Sequence, residues 1–104
     1  MNRYQIEITD PASRDLYEIG NYITKELSEP EAALRVVNGI ADAIFSLEEM
    51  PYRNLLVRDE TLSLHGIRKT IVGNYLVFYI IFEEEKTVTI IRILYYKRDW
   101  LNLL

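Results

Sequence analysis

The chain has 104 residues, with 12 basic and 16 acidic side chains, one histidine and no cysteine, so its formal net charge at pH 7 is −4. This length suits one domain, residues 1–104, with a single core, and the lack of cysteine excludes disulfides, thiolate metal sites and a cysteine nucleophile. Residues 1–52 carry four basic and ten acidic side chains, whereas residues 53–104 carry eight and six. The balance therefore disfavours general nucleic-acid binding and allows only a local basic patch in the second half.

No apolar run approaches the length of a membrane span, and the N-terminal residues Met1 to Tyr4 contain no apolar signal segment. We therefore expect a cytoplasmic protein without membrane association.

The first half predicts a strand followed by two helices. Residues 3–9 alternate between apolar and polar side chains, and Asp10-Pro11 then predicts a helix start with Asp10 as the N-cap. Residues 28–31, Ser-Glu-Pro-Glu, form a capping-box pattern that predicts a second helix running to about Met50. Because the two helices are joined almost directly, we expect an antiparallel helical hairpin.

The second half predicts a loop over residues 51–63 and then an antiparallel meander over residues 64–96. Three runs of β-branched and aromatic residues are separated by Gly73-Asn74 and by the polar residues 83–86. One short turn of helix is expected in residues 97–104. The fold class is therefore α+β, in which one sheet is covered on one face by the helical hairpin.

The two turns also predict a strand register. Pairing Val72 with Tyr75 places Arg68 opposite Tyr79, and pairing Phe82 with Thr87 places Val77 opposite Arg92. One face then carries mainly apolar side chains, and we expect the helices to cover it. Its members are Ile67, Ile71, Leu76, Phe78, Ile80, Phe82, Ile91 and Ile93, with Lys69 the only charged residue. The open face would carry Arg68, Thr70, Tyr75, Val77, Tyr79, Arg92 and Leu94.

Arginines and tyrosines on this open face form the candidate site. Guanidinium groups bind phosphates through paired hydrogen bonds, and tyrosines stack on bases or transfer protons. The candidate members are Arg68, Arg92, Arg98, Tyr75, Tyr79, Tyr95 and Tyr96. An equally valid interpretation is that the arginines pair with nearby carboxylates and the tyrosines pack in the sheet. The sequence predicts no metal site and no cofactor, because it has one histidine, no cysteine and only scattered glycines.

The element order and three segments resemble the RelE/ParE superfamily of toxins. The segments are Gly66-Ile67-Arg68-Lys69, Gly73-Asn74-Tyr75-Leu76-Val77-Phe78-Tyr79 and residues 91–100, Ile-Arg-Ile-Leu-Tyr-Tyr-Lys-Arg-Asp-Trp. The helical hairpin, with Asp15-Leu16, Tyr22-Ile23 and Pro51, is similar to that of ParE-like members. The resemblance covers nearly the whole chain.

This resemblance implies a bacterial toxin of a type II toxin–antitoxin module, which arrests growth, or stabilises a plasmid, unless its cognate antitoxin binds it in a hetero-oligomer. RelE-like members cleave ribosome-bound mRNA without a metal, and ParE-like members inhibit DNA gyrase. Under the RNase interpretation the catalytic residues would be Arg68, Arg98 and Tyr95. Arg92, Tyr75, Tyr79, Tyr96, Lys97 and Trp100 would be binding residues. An apolar surface around Tyr79, Leu94 and Trp100 is the expected antitoxin contact.

The sequence departs from the RelE-like pattern at three positions. Tyr75 stands where those enzymes commonly carry arginine, Tyr95 where many carry histidine, and Leu104 near the place of a late catalytic tyrosine. The acidic balance also disfavours approach to dense phosphate. We therefore favour the ParE-like alternative, with mRNA cleavage second and a non-toxic, antitoxin-binding relative third.

Overall fold

The computed structural model describes residues 3–104. It confirms an α+β fold in which four strands form one sheet of order β1-β4-β3-β2, with β1 parallel to β4 and the other neighbours antiparallel. The strands and helices, in chain order, are β1 (Gln5–Ile8), α1 (Asp10–Lys25), α2 (Pro30–Ser46), α3 (Glu60–Leu64), β2 (Ile67–Val72), β3 (Tyr75–Phe82) and β4 (Thr87–Tyr95). Single 3₁₀ turns cover Pro51–Arg53 and Trp100–Asn102, and the second is the turn expected near the C-terminus.

The helix ends differ from the sequence prediction at both helices. Thr9, not Asp10, caps α1, and its side chain accepts a hydrogen bond from the Ala12 amide at 3.2 Å. Ser28 has a φ of +54° and Glu29 makes no side-chain cap bond, so no capping box forms before α2. The helix α2 ends at Ser46 rather than near Met50, because the following amides bond three residues back instead of four.

Residues 51–63 contain more regular structure than the predicted loop. The helix α3 begins there, and the Asp59 side chain caps it by accepting a hydrogen bond from the Leu62 amide at 3.0 Å. Sequence periodicity misses this element because one helical turn is too short to show a repeat. No helix within residues 3–104 combines the length and the apolar character needed to cross a bilayer.

The first hairpin has the predicted register, with Arg68 opposite Tyr79 and Val72 opposite Tyr75. The second hairpin pairs as predicted from Phe82 and Thr87 as far as Tyr79 and Ile90. There the register shifts by one residue, so that Phe78 lies opposite Arg92. Because of this β-bulge, every residue of β4 after Ile91 lies on the face opposite to the predicted one. No local sequence pattern predicts the bulge.

The predicted assignment of the two sheet faces is wrong. The helices cover the face that carries Val77, Tyr79, Val88, Ile90 and Ile93, which pack with residues of α1 and α2 in the larger core. The opposite face has a second core, covered by the segment after α2 and by the C-terminal residues. Its members include Val57, Ile67, Leu76, Phe78, Leu94, Trp100, Leu103 and Leu104. The prediction counted Arg68 and Arg92 against the first face. Arg68 does lie on it, opposite Tyr79, but the bulge sets Arg92 opposite Phe78 and so removes it from this face.

A buried carboxylate joins α1 to the edge of β4. The strand β1 ends at Ile8, so β4 has no neighbouring strand on this side beyond Ile90. Asp15 takes that place: it accepts a hydrogen bond from the Ile93 amide at 3.0 Å and two from the Arg92 guanidinium at 2.7 and 2.9 Å. The Asp15 side chain is only 10% exposed. Asp15 therefore provides both the hydrogen-bond acceptor for an amide at the strand edge and the opposite charge for a guanidinium.

A second polar cluster fixes the β3–β4 turn. Tyr4 and Tyr52 both donate hydrogen bonds to Oε1 of Glu83, at 2.8 and 2.7 Å, and Lys86 binds its other oxygen. The bond from Lys86, followed by those from the two tyrosines, lowers the pKa of Glu83 to about 2. The turn glutamate thus connects the N-terminal residues with the segment after α2.

We predict that Asp15→Ala lowers the free energy of unfolding by about 3 kcal/mol, because it leaves the Arg92 guanidinium and the Ile93 amide without their acceptor. Urea unfolding followed by circular dichroism measures this change. Asp42→Ala, which removes an exposed acid from the interior of α2, is the control and should change stability by less than about 0.5 kcal/mol. Equal effects of the two substitutions would show that the Asp15 contacts do not stabilise the fold.

We also predict that Glu83→Gln weakens the pH dependence of stability in acid. The folded protein holds the pKa of Glu83 at about 2, below the ordinary value of 4.5. Its stabilising contribution is therefore fully present above pH 4.5 and is lost as the pH falls toward 2. Thermal unfolding between pH 2 and pH 6 tests this. Glu84→Gln, on the same exposed turn, should keep the wild-type slope, and an unchanged slope in Glu83→Gln would contradict the assignment.

Candidate functional site

Two of the three candidate arginines are held by other parts of the protein. Arg68 donates a hydrogen bond to the Asn54 carbonyl at 2.6 Å, and its guanidinium lies 5.0 Å from the ring centre of Tyr52. Arg92 binds Asp15 and also donates to the Leu103 carbonyl at 3.1 Å. The hydrogen bonds that Arg92 donates to Asp15 raise the pKa of Arg92. All three guanidinium nitrogens of Arg92 therefore have partners within the protein, whereas Arg68 uses one of its five N–H groups.

Arg98 is placed differently. It follows β4, with its amide bonded to the Tyr95 carbonyl at 2.9 Å, and within residues 3–104 its guanidinium makes no hydrogen bond or ion pair. Arg68 lies four residues before the end of β2, about 13 Å along the strand from the Gly73-Asn74 turn near which Arg98 lies. The structure does not bring the three arginines together around one point.

Tyr79 lies in the core rather than on an open face. Its side chain is fully buried, and its hydroxyl donates a hydrogen bond to the Pro51 carbonyl at 2.7 Å. Burial raises the pKa of Tyr79. This position follows from the corrected face assignment, since the helices pack on the side of the sheet that carries Tyr79.

The predicted apolar surface around Tyr79, Leu94 and Trp100 is not present. Leu94 is 3% exposed and belongs to the core on the other side of the sheet from Tyr79, because the bulge turned it over. Trp100 packs on Phe78, with ring centres 5.1 Å apart, and Lys69 lies 5.2 Å from its ring. Trp100 thus anchors the C-terminal residues. The predicted location of the antitoxin contact is therefore wrong.

The remaining tyrosines do assemble, at the end of the sheet next to the Gly73-Asn74 turn. The ring centres of Tyr75 and Tyr95 are 5.8 Å apart, and those of Tyr95 and Tyr96 are 5.1 Å apart. Lys97 lies 5.7 Å from the Tyr96 ring. Burial raises the pKa of Tyr75. The sequence placed Tyr75 near this end correctly, but only the bulge sets Tyr95 directly opposite it.

These tyrosines border a cavity of about 850 Å³ between the helical hairpin and the sheet, which we call the cleft. Its walls are mainly apolar, with Asp15 and Glu18 on the helix side and Arg98 on the sheet side. The lining residues are Asp15, Glu18, Ile19, Tyr22, Ile23, Leu27, Ala32, Val36, Asn74, Tyr75, Ile93, Leu94, Tyr95 and Arg98. An apolar cavity with opposite charges on its two sides suits an amphipathic peptide segment better than a nucleic-acid backbone.

The helix side of the cleft was not predicted from the sequence. Glu18 and Tyr22 are four residues apart and share one side of α1, next to the apolar stripe, and that spacing was the available signal. Among residues 3–104, no group of three or more histidine, aspartate or glutamate side chains is placed to share a metal ion.

Comparison with known proteins identifies the family. Residues 6–100 match the family described as the ParE toxin of the type II toxin–antitoxin system parDE. Among solved structures, a chain of the toxin–antitoxin complex RelBE2 from Mycobacterium tuberculosis is 25% identical, with a TM-score of 0.69 over 91% of this chain and 93% of that one. No curated protein sequence matches.

Two further structures share the fold. A chain of the chromosomal ParDE system from P. aeruginosa is 20% identical, with a TM-score of 0.75 over 93% of this chain and 100% of that one. The E. coli toxin RelE, as a double mutant in the free state, is 13% identical, with a TM-score of 0.68 over 97% of this chain and 92% of that one. Since the family match covers most of the sequence, the chain belongs to the ParE toxin family of the RelE/ParE superfamily and is a toxin of a type II toxin–antitoxin system.

Proposed function

We propose that this toxin arrests growth by ParE-like inhibition of DNA gyrase in the bacterial cytoplasm, without enzymatic activity of its own. The observation that carries the proposal is the match of residues 6–100 to the ParE family. The engagement of Arg92, whose guanidinium donates to Asp15 and to the Leu103 carbonyl, supports it independently.

Metal-independent RNA cleavage needs a base, an acid and a cation around one phosphate. In this protein Arg68 is bound to Asn54 and Arg92 to Asp15, and Tyr79 is fully buried. The net charge of −4 also opposes approach to the phosphates of the ribosome. These features disfavour a nuclease and agree with a toxin that binds a protein target.

A ribosome-dependent endoribonuclease is the second candidate, and one observation favours it. Arg98 and Lys97 are neighbours in sequence, and Tyr95 and Tyr96 lie in contact beside them, so cations and proton-transfer groups do meet at this end of the sheet. In that case Arg98 would stabilise the charge on the phosphate and Tyr95 would transfer a proton.

We propose that the cognate antitoxin inserts a segment into the cleft. Several solved relatives are toxin–antitoxin complexes, including RelBE2 of M. tuberculosis and ParDE of P. aeruginosa. The cleft offers apolar walls for the apolar side of such a segment. Glu18 would face a basic residue of the antitoxin and Arg98 an acidic one, which would fix the direction of the segment.

The gyrase proposal predicts that the purified toxin inhibits supercoiling of relaxed plasmid by gyrase, and that induced cells filament while protein synthesis is initially normal. Supercoiling assays, together with pulse-labelling of protein and DNA synthesis, measure both effects. Arg98→Ala should leave the gyrase effect within about threefold, because no catalysis depends on the guanidinium, whereas a nuclease should lose at least tenfold in activity.

Three results separate the candidates. Unchanged gyrase at a large excess of toxin, with a prompt fall in translation, would reject the proposal in favour of mRNA cleavage. Loss of that effect in Arg98→Ala would then identify the central residue. Harmless expression without antitoxin would instead indicate a non-toxic relative that only binds its partner.

The cleft assignment predicts that Tyr22→Asp weakens antitoxin binding at least tenfold, because it places a charge on an apolar wall. The measurement is calorimetric titration of the toxin with the product of the adjacent antitoxin gene. Tyr17→Asp is the matched control: this tyrosine lies on the other side of α1, is 72% exposed against 55% for Tyr22, and should bind within about threefold of wild type. A larger loss for Tyr17→Asp would place the antitoxin outside the cleft.

A further inference from the structure

The outer surface of the helical hairpin carries a second depression, which we call the hairpin groove. It lies between α1 and α2, reaches the end of β1 at Ile8, and has a volume of about 690 Å³. The lining residues are Ile8, Ser13, Leu16, Tyr17, Gly20, Asn21, Thr24, Pro30, Ala33, Leu34 and Val37. None of them lines the cleft, so α1 and α2 present two separate surfaces.

The hairpin groove contains no charged side chain, although 27% of the residues in this chain are charged. At that frequency a surface of eleven residues would carry about three charged side chains. The cleft on the other side of the same helix carries Asp15, Glu18 and Arg98. The two surfaces therefore suit different partners. A partner of the hairpin groove would not be selected by opposite charge.

The groove and its raised edges have complementary shapes. Tyr17 on α1 and Leu34 on α2 project into solvent, with 72% and 63% of their surface exposed. Between them Gly20 keeps the floor low: a Cβ at this position would lie 3.1 Å from Cγ2 of Val37, closer than ordinary contact. Large apolar side chains thus stand beside a depression on one surface. Such a surface can meet its own two-fold copy, each pair of projecting side chains filling the other depression.

We propose that the hairpin groove binds the hairpin groove of a second copy of this chain, giving a two-fold symmetric dimer. Two copies each carry a net charge of −4 and repel one another, so a contact between them is favoured where no like charges meet. The hairpin groove meets that condition. A basic partner would instead be attracted to acidic side chains, and the groove offers none.

The area of the surface sets the strength of the dimer. The hairpin groove is lined by eleven residues, fewer than the roughly 20–30 that each partner contributes to an interface of standard size. We therefore expect a weak, reversible dimer with a dissociation constant in the micromolar range or above. The dimer leaves the cleft open in both copies, so it is compatible with antitoxin binding there.

Sedimentation velocity of the purified, antitoxin-free protein over a concentration series tests the proposal. We expect a monomer–dimer equilibrium in the wild type and at least tenfold weaker association in Leu34→Glu, which places two charges inside the contact. Leu64→Glu is the matched control, because Leu64 is also an exposed leucine, at 81%, on another part of the protein. It should associate like the wild type, and circular dichroism should show that both variants are folded.

Cysteine crosslinking locates the contact independently, since the chain has no cysteine. Tyr17→Cys or Leu34→Cys should form disulfide-linked dimers under mild oxidation at a faster rate than Leu64→Cys. A monomer at every concentration up to ~1 mM would overturn the proposal. A dimer that Leu34→Glu does not weaken, or protection of Leu34→Cys only when antitoxin is bound, would also overturn it.

Discussion

The arrangement of this protein depends on how α1 is attached to the edge of β4. The short strand β1 covers β4 only as far as Ile90, and the chain then leaves the sheet to form a helix. Asp15 continues the pairing by binding the Ile93 amide and the Arg92 guanidinium. Because this carboxylate is nearly buried, its hydrogen-bond partners are needed to offset the cost of removing its charge from water. The same contact lies at the wall of the cleft, which Asp15 and Ile93 both line.

The bulge in β4 is the second constraint. It turns Arg92 toward the sheet edge, where it meets Asp15 and the Leu103 carbonyl, and it brings Ile93 into the core under the helices. It also sends Leu94 to the opposite core, beside Phe78 and Trp100. One extra residue therefore divides the apolar side chains of β4 between two cores and fixes the C-terminal residues. It also changes an arginine that looked like a ligand-binding group into a structural one.

The helix α1 separates two surfaces of different character. The helix α1 has a charged and aromatic side facing the cleft and an uncharged side facing the hairpin groove. Charges around an apolar cavity select the direction and identity of a partner, whereas an uncharged surface of complementary shape suits self-association. The two proposals use opposite sides of one helix and do not compete for residues.

The sequence by itself determined the order of the strands and the two long helices, both hairpin turns, the register of the first hairpin and the family. These features depend on local rules, such as the positive φ of Gly73 at a turn and the alternation of side chains along each strand. Only the tertiary structure decided which face the helices cover, that Tyr79 is buried, and that Asp15 binds Arg92 across 77 residues of sequence. Those outcomes depend on a bulge and on contacts between distant segments. Neither leaves a periodic or local signal, because the energies that select them arise only when the layers pack together.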